Sequence, residues 1–272
     1  MMPWTLNFLR RMARHMTIPS ALRMRSLVLR EDGRQLPRAG LVRIRVKHPF
    51  RGDVWLREPG SDVSTFQEIA VHQIYRRAVE LSPGARYVFD IGGNIGLTTR
   101  YFASQLPECQ VLTVEPSGEN YQLLCRNVAD LVAVGRCQPV QAAVWGEDST
   151  IQVGAPPGGN AYHAVQVHAA GGGATDGNVA GYTVGSLLRL SGFPRIDILK
   201  MDIEGSETAV FRGDTEWLSA VGLITIEFHG NSRAESRFDE VVRGHGFEVR
   251  DDDFPCTALA IRTSPPAATR ES

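Results

Sequence analysis

No stretch of this chain stays apolar for the roughly 20 residues that a membrane-spanning helix needs, so no integral membrane segment is expected. An excess of charge is missing too. Lys and Arg number 29 against 30 Asp and Glu, a formal net charge of -1, so no global field draws the chain to a polyanion, and nucleic acid is not an expected partner. Cysteine is scarce: Cys109, Cys125, Cys137 and Cys256 show neither a CxxC pair nor a His-paired metal spacing, and three of them fall in apolar-periodic segments where small core residues sit. Reduced thiols in a cytoplasmic protein are the expectation. The arginine-rich start lacks the continuous apolar stretch and small-residue cleavage site of a secretory signal. What remains, 272 residues of which 43% are hydrophobic, suffices for one catalytic domain with appendages.

Residues 1–35 form a basic segment. Arg10, Arg11, Arg14, Arg23, Arg25 and Arg30 interleave with Trp4, Leu6, Phe8, Leu9, Met12 and Met16, the pattern of a basic amphipathic helix. Two uses stand open: packing on its own domain or a partner subunit, and peripheral contact with an anionic membrane. In residues 36–82, Val42, Ile44 and Val46 alternate with Arg43, Arg45 and Lys47, and Val54-Trp55-Leu56 follows a turn, which predicts a hairpin with one wet face. Phe66, Ile69, Ala70, Ile74 and Ala78 then recur at helical spacing over 62–80, opened by Ser64 and Gln67 in capping-box positions.

From residue 83 to 263 short apolar runs alternate with helical stretches, which argues for crossover units and a parallel sheet. Strands are expected at 87–91, 111–115, 138–144, 196–202, 222–228, 246–250 and 257–262. Tyr121, Leu124, Cys125 and Val128 make one helical stripe between them; Phe238, Val241 and Val242 make another, started by Ser232 with Glu235. The fold class is therefore α/β, a doubly wound, mostly parallel seven-stranded sheet. Only a short loop at Asp251–Pro255 separates the last two runs, so they must pair antiparallel. That antiparallel last strand marks the class I methyltransferase variant of the Rossmann-like fold. The Gly- and Ala-rich stretch 154–181 reads as a hairpin insertion with a mobile tip, either a plain surface loop or a substrate lid. The tail, 264–272, reads as frayed.

The densest signal is Asp90-Ile91-Gly92-Gly93-Asn94-Ile95-Gly96, entered from an apolar strand, with Glu115 ending the next one. A buried strand that ends in a carboxylate, a glycine turn and a following helix start describe a ligand corner. Read from Gly92, the GxGxxG pattern of dinucleotide sites fails, because Asn94 and Leu97 stand where glycines belong. A nucleotide-dependent oxidoreductase therefore lacks its loop. A carboxylate at Asp90 suits a cationic methionine moiety better than a pyrophosphate, and Glu115 can accept from both ribose hydroxyls. Together these point to S-adenosylmethionine. Two more strands deliver polar residues to the same sheet edge: one runs into Asp202-Ile203-Glu204-Gly205-Ser206-Glu207, the other into Glu227-Phe228-His229.

The runs FDIGGNIG, TVEP, KMDIEGSE from Lys200 to Glu207, and IEFH ending at His229 resemble the FkbM family of S-adenosylmethionine-dependent methyltransferases, over roughly Val54 to Ile261. The resemblance implies a class I methyltransferase domain that acts mostly on hydroxyls of sugars or natural products. The usual family spelling has a small residue such as Ala at Gly93, read here as a harmless change. Asp90, Gly92, Asn94 and Gly96 are assigned to the methionine and ribose region, with Asp202 beside them. Glu115 is assigned to the ribose, and Ala142 and Ala143 to the adenine, where Trp145 could also lie. On the acceptor side stand Asp202 and His229, with His229 as general base and Glu204 or Glu227 orienting its other nitrogen. A divalent metal on Asp202, Glu204 and Glu227 remains open, as do a nitrogen or carboxyl acceptor and a non-catalytic cofactor-binding scaffold.

Overall fold

The computed structural model describes residues 10–31, 40–57, 61–154, 166–169 and 177–264. Its strands are β1 (Leu41–Val46), β2 (Gly52–Arg57), β3 (Tyr87–Ile91), β4 (Gln110–Val114), β5 (Cys137–Val140), β6 (Ala143–Val144), β7 (Ser149–Gly154), β8 (Gln166–Ala169), β9 (Gly177–Tyr182), β10 (Ile196–Met201), β11 (Val221–Glu227), β12 (Phe247–Asp251) and β13 (Thr257–Arg262). The main sheet has seven strands in the order β12-β13-β11-β10-β3-β4-β5. From β11 through β10, β3 and β4 to β5 the pairing is parallel, and β13 runs antiparallel to both of its neighbours.

This is the doubly wound sheet expected of a class I methyltransferase. Chain order reverses between β3 and β10, since β3 leads to β4 on one side while β10 lies on the other, so a crevice opens at their carboxyl ends. Val88, Phe89, Ile198, Leu199, Leu223 and Ile224 are buried on the central strands, the continuous apolar runs that a sheet covered on both faces requires.

Five expectations change in the structure. The run 138–144 does not stay in one sheet: β5 keeps its place at the edge, where Pro139 costs no ladder bond, and β6 leaves to pair with β9. With β7 and β8 it makes a second sheet of order β6-β9-β7-β8, so the insertion is more than a hairpin; its tip, 155–165, lies outside the described residues. The helix expected over 62–80 is broken into Asp62–Phe66, a wider-wound π turn Gln67–His72, and Arg76–Leu81, with Gln73 left-handed at φ 53°. The helix starts at Ser61 and not at a Ser64 cap, for Ser64 Oγ donates backward to the Ser61 carbonyl at 2.7 Å. The helix expected from Ser232 likewise stops at Glu235, and a left-handed Arg237 precedes the next one, Phe238–Gly244.

Residues 10–15 and Ile18–Glu31 are helical, and Met12, Met16, Ala21 and Met24 pack into one apolar cluster with Ile44, Val46, Val54 and Leu56 of the hairpin. Among the described residues no helix is long and apolar enough to cross a membrane. Trp4, Leu6, Phe8 and Leu9 lie outside the described residues, as does the tail from 265. Asn127 ties the hairpin to the glycine loop: its Oδ1 accepts from Trp55 N at 2.7 Å, and its Nδ2 donates to Ile95 O at 2.8 Å.

Tight packing also fixes the glycine loop. A Cβ at Gly92, where φ is +76°, would lie 1.7 Å from the Asp202 carbonyl oxygen, so two strand ends meet there with no room for any side chain. At Gly93 a Cβ would lie 2.2 Å from Thr113 Oγ1 and 2.9 Å from Leu124 Cδ1, so the Ala of the family spelling is not harmless in this chain. Gly93→Ala is expected to lower stability by about 1–3 kcal/mol through overpacking. Thr113→Ala in the same chain should recover most of that loss, as read from chemical-denaturation midpoints; an unshifted midpoint in the single variant would show that the neighbours simply give way.

Candidate active site

Two adjacent cavities occupy the crevice. The first, a cleft, is walled by Gly92, Asn94, Glu115, Asn120, Ala142 and Asp202 among others. The second, a chamber, lies between the π-turn segment and the ends of β10 and β11, with Ser64, Glu68, Tyr75, Glu227 and His229 in its walls. Gly92, Asn94, Asp202 and Glu204 line both.

Glu115 is the anchor of the cleft. Only 5% exposed, it accepts from Asn94 N at 2.9 Å through Oε2, and from Ser117 N at 2.9 Å and Asn120 Nδ2 at 3.4 Å through Oε1. Burial pushes its carboxyl up to about 7, with these donors and Lys200 pulling the other way. Of the four lone-pair directions of a carboxylate, one on Oε2 stays free, and the long Asn120 contact can yield another. Asn94, held left-handed at φ 47°, has its Oδ1 buried with no hydrogen-bond partner among the described residues.

Asp90 sits elsewhere than the sequence reading put it. It is fully buried beside Lys200, its partner in strand register, with Lys200 Nζ 3.2 Å from Oδ1 and Thr99 Oγ1 donating to Oδ2 at 2.6 Å. Its charge is thus matched inside the protein and is not offered to a ligand cation. Lys200 also donates to Gly92 O at 2.6 Å, which pins the loop from below. Burial alone would strip the Lys200 proton; the charges of Asp90 and Asp202 outweigh it and raise its pKa. Gly96 does not reach the cleft either: a Cβ there would meet Leu124 and Val128 at the end of the helix Gly118–Asn127.

Strand alternation divides the adenine assignment. Ala142 and Val144 line the cleft, whereas Ala143 turns to the other face and packs with Ile151, Trp145 and Val179 of the second sheet. Ala143 and Trp145 therefore leave the candidate cofactor wall, and Val144 replaces them.

On the chamber side the structure brings Asp202, Glu204, Glu227 and His229 to one corner. His229 Nδ1 lies 2.8 Å from Oε1 of the fully buried Glu207, while Nε2 is 3.4 Å from Glu204 Oε2 and 3.7 Å from Asp202 Oδ1. The residue that orients His229 is thus Glu207, not Glu204 or Glu227. Burial works against a charged imidazole, but the Glu207 hydrogen bond and the charges of Glu204 and Asp202 prevail and raise its pKa to about 9. At neutral pH His229 is a cation in this arrangement, which removes the ground for reading it as the resting general base. Glu227 is pushed up to about 7 by burial and then by the charge of Asp202, and burial raises Glu204 and Glu68 as well.

Sequence reasoning gave no role to Lys200, Glu207, Asn120 or Glu68. For Lys200 a signal existed: a lone cation inside an apolar strand needs a buried partner, and Asp90 ends the other buried strand. For Glu207 none did.

Residues 90–249 match the family model described as the methyltransferase FkbM domain. The chain is 25% identical over 198 residues to the methyltransferase sdnD of Sordaria araneosa, covering 62% of this chain and 76% of that one. It is 28% identical over 221 residues to the 31-O-demethyl-FK506 methyltransferase FkbM of Streptomyces tacrolimicus, covering 71% of this chain and 84% of that protein. Among solved structures, an O-methyltransferase from Bacillus cereus in complex with SAH aligns with a TM-score of 0.43 and 12% identity over 68% of this chain and 78% of the other.

Proposed function

Since this chain belongs to the FkbM-domain family of methyltransferases, we propose that it moves a methyl group from S-adenosylmethionine to a hydroxyl of a sugar, glycan or natural product. The carrying observation is a cleft with a chamber beside it, Asn94 and Glu115 lining the first, Glu227 the second and Asp202 both. The residues fit the cofactor: Glu115 keeps hydrogen-bonding capacity for ribose hydroxyls, and the small Ala142 on the cleft wall leaves room for a flat ring. When bound, S-adenosylmethionine supplies an electrophilic methyl on a sulfonium, which is most of the driving force. One of the relatives above, named for an oxygen of FK506, supports a natural-product hydroxyl as acceptor.

The protein has two tasks. It holds the acceptor at near-attack distance between the π-turn segment and the ends of β10 and β11, and it receives the hydroxyl proton. Glu227, at the end of β11 on the chamber wall, takes that proton. His229, whose Nε2 is flanked by Asp202 and Glu204 and whose Nδ1 is held by Glu207, positions the corner. Glu227→Gln should cut turnover by roughly a hundredfold or more while leaving cofactor affinity within twofold, as read from SAH release with a panel of glycan and natural-product acceptors. Full turnover in that variant would take Glu227 out of the mechanism. A protein that binds the cofactor yet turns over no hydroxyl acceptor, while it methylates amines or carboxylates, would redirect the assignment.

A further inference from the structure

We propose that Asp202, Glu204 and His229 form a binding site for one divalent cation of the manganese or zinc type at the junction of cleft and chamber. Their nearest ligand atoms all lie within 4.8 Å of one another, with Nε2 3.4 Å from Glu204 and 3.7 Å from Asp202. A cation about 2.1 Å from each of three donors holds them about 3–3.5 Å apart, close to the two distances from Nε2, and the two carboxylates close in to complete the set. One imidazole among carboxylates favours manganese or zinc over magnesium and calcium, which prefer oxygen alone.

A second observation comes from behind the cluster. Glu207 is fully buried, accepts the Nδ1 proton of His229 at 2.8 Å, and has an Oε2 that meets no donor among the described residues. A carboxylate on the far nitrogen of a histidine fixes the tautomer that leaves Nε2 as a lone pair, and this pairing supports metal-bound histidines. With Nδ1–H held by Glu207, Nε2 faces two carboxylates, and a divalent cation would take the place of the Nε2 proton of the resting imidazolium between them. The nearest lysine, Lys200, is held by Asp90 and Gly92 O and reaches Asp202 Oδ2 only at 4.0 Å. Glu204 holds a left-handed φ of 50°, a conformation that a residue with a side chain rarely adopts. Glu227, which the sequence offered as a third ligand, is not in the group.

Cation binding stands on this geometry alone. Its use, to grip the acceptor oxygen and ease loss of its proton, rests on the methyltransferase reading.

Titration of metal-free protein with Mn²⁺, followed by electron paramagnetic resonance and calorimetry, tests it. One ion per chain is expected. His229→Gln and Glu204→Gln should each weaken that binding at least tenfold, Glu207→Gln by about 10–100-fold, and Glu227→Gln should leave it within twofold. Circular dichroism and SAH affinity, measured with and without chelator, report whether each variant stays folded. An absence of stoichiometric Mn²⁺ and Zn²⁺ binding up to millimolar concentration, or binding that His229→Gln leaves unchanged, overturns the site. Either result leaves the cofactor reading intact, because SAH binding is read separately.

Discussion

Lys200→Met should lower the stability of the protein by about 3–5 kcal/mol, because it strands the carboxylate of Asp90 in the core without its partner. Lys200 is 1% exposed and Asp90 0%. Their separation is 3.2 Å, and Thr99 supplies the only other polar contact to the Asp90 side chain among the described residues. For a chain of this size such a loss corresponds to a fall in melting temperature of roughly 6–20 °C. The pair itself need not be worth that much, since two buried charges also carry a desolvation cost. Asp90→Asn in the Lys200→Met background removes the stranded charge and keeps an acceptor for Thr99, so it should recover a large part of the loss. A single variant as stable as the parent would show that water reaches Asp90. Because Lys200 Nζ also holds Gly92 O, the single variant should loosen the cofactor loop, and SAH affinity should fall with stability.

Glu115→Ala carries the second large effect. It removes a buried carboxylate that organises Asn94, Ser117 and Asn120 and that offers hydrogen bonds to a ribose. Hydrogen bonds to a charged acceptor contribute about 1.5–3 kcal/mol each, so SAH affinity should fall by one to two orders of magnitude or more. The same carboxylate imposes a pH dependence. Its pKa in the folded protein is raised to about 7, and on the proposed function the charged form is the one that accepts from both ribose hydroxyls. Affinity should therefore fall nearly tenfold between pH 8 and pH 6, and this slope should vanish in Glu115→Ala. Fold stability takes the opposite sign: a carboxyl with a raised folded pKa contributes stability that is complete below its ordinary value and is lost as pH rises through about 7. Cofactor binding and intrinsic stability thus pull apart at this residue. An SAH affinity flat from pH 6 to 8 would show that Glu115 stays ionised throughout.

How much of this was legible in the sequence varies with the kind of interaction. The strands around Val88, Leu199 and Ile224 could be read because an unbroken apolar run that ends in acids and glycine has few other uses than a covered parallel strand. The antiparallel pairing of β12 with β13 followed from a loop too short to cross over. The π turn at Gln67–His72 could not be read, since neither Gly nor Pro marks it and the apolar spacing suits an unbroken helix equally well. At 142–145 the residues are all small or apolar, so the sequence does not say which face meets the cleft. Asp90 was misplaced for a tertiary reason: its charge could be assigned to a ligand only while Lys200, more than a hundred residues later, was not known to lie beside it in register.

Calorimetric titration of the parent protein and Glu115→Ala with S-adenosylmethionine and SAH, with reduced nicotinamide dinucleotide as control, tests the central claim most directly. The account predicts one site per chain for both sulfur compounds in the parent, no heat from the dinucleotide, and affinity weakened tenfold or more in the variant while its circular dichroism is unchanged. No binding of either sulfur compound to the folded parent, or binding that the loss of Glu115 does not touch, would contradict it.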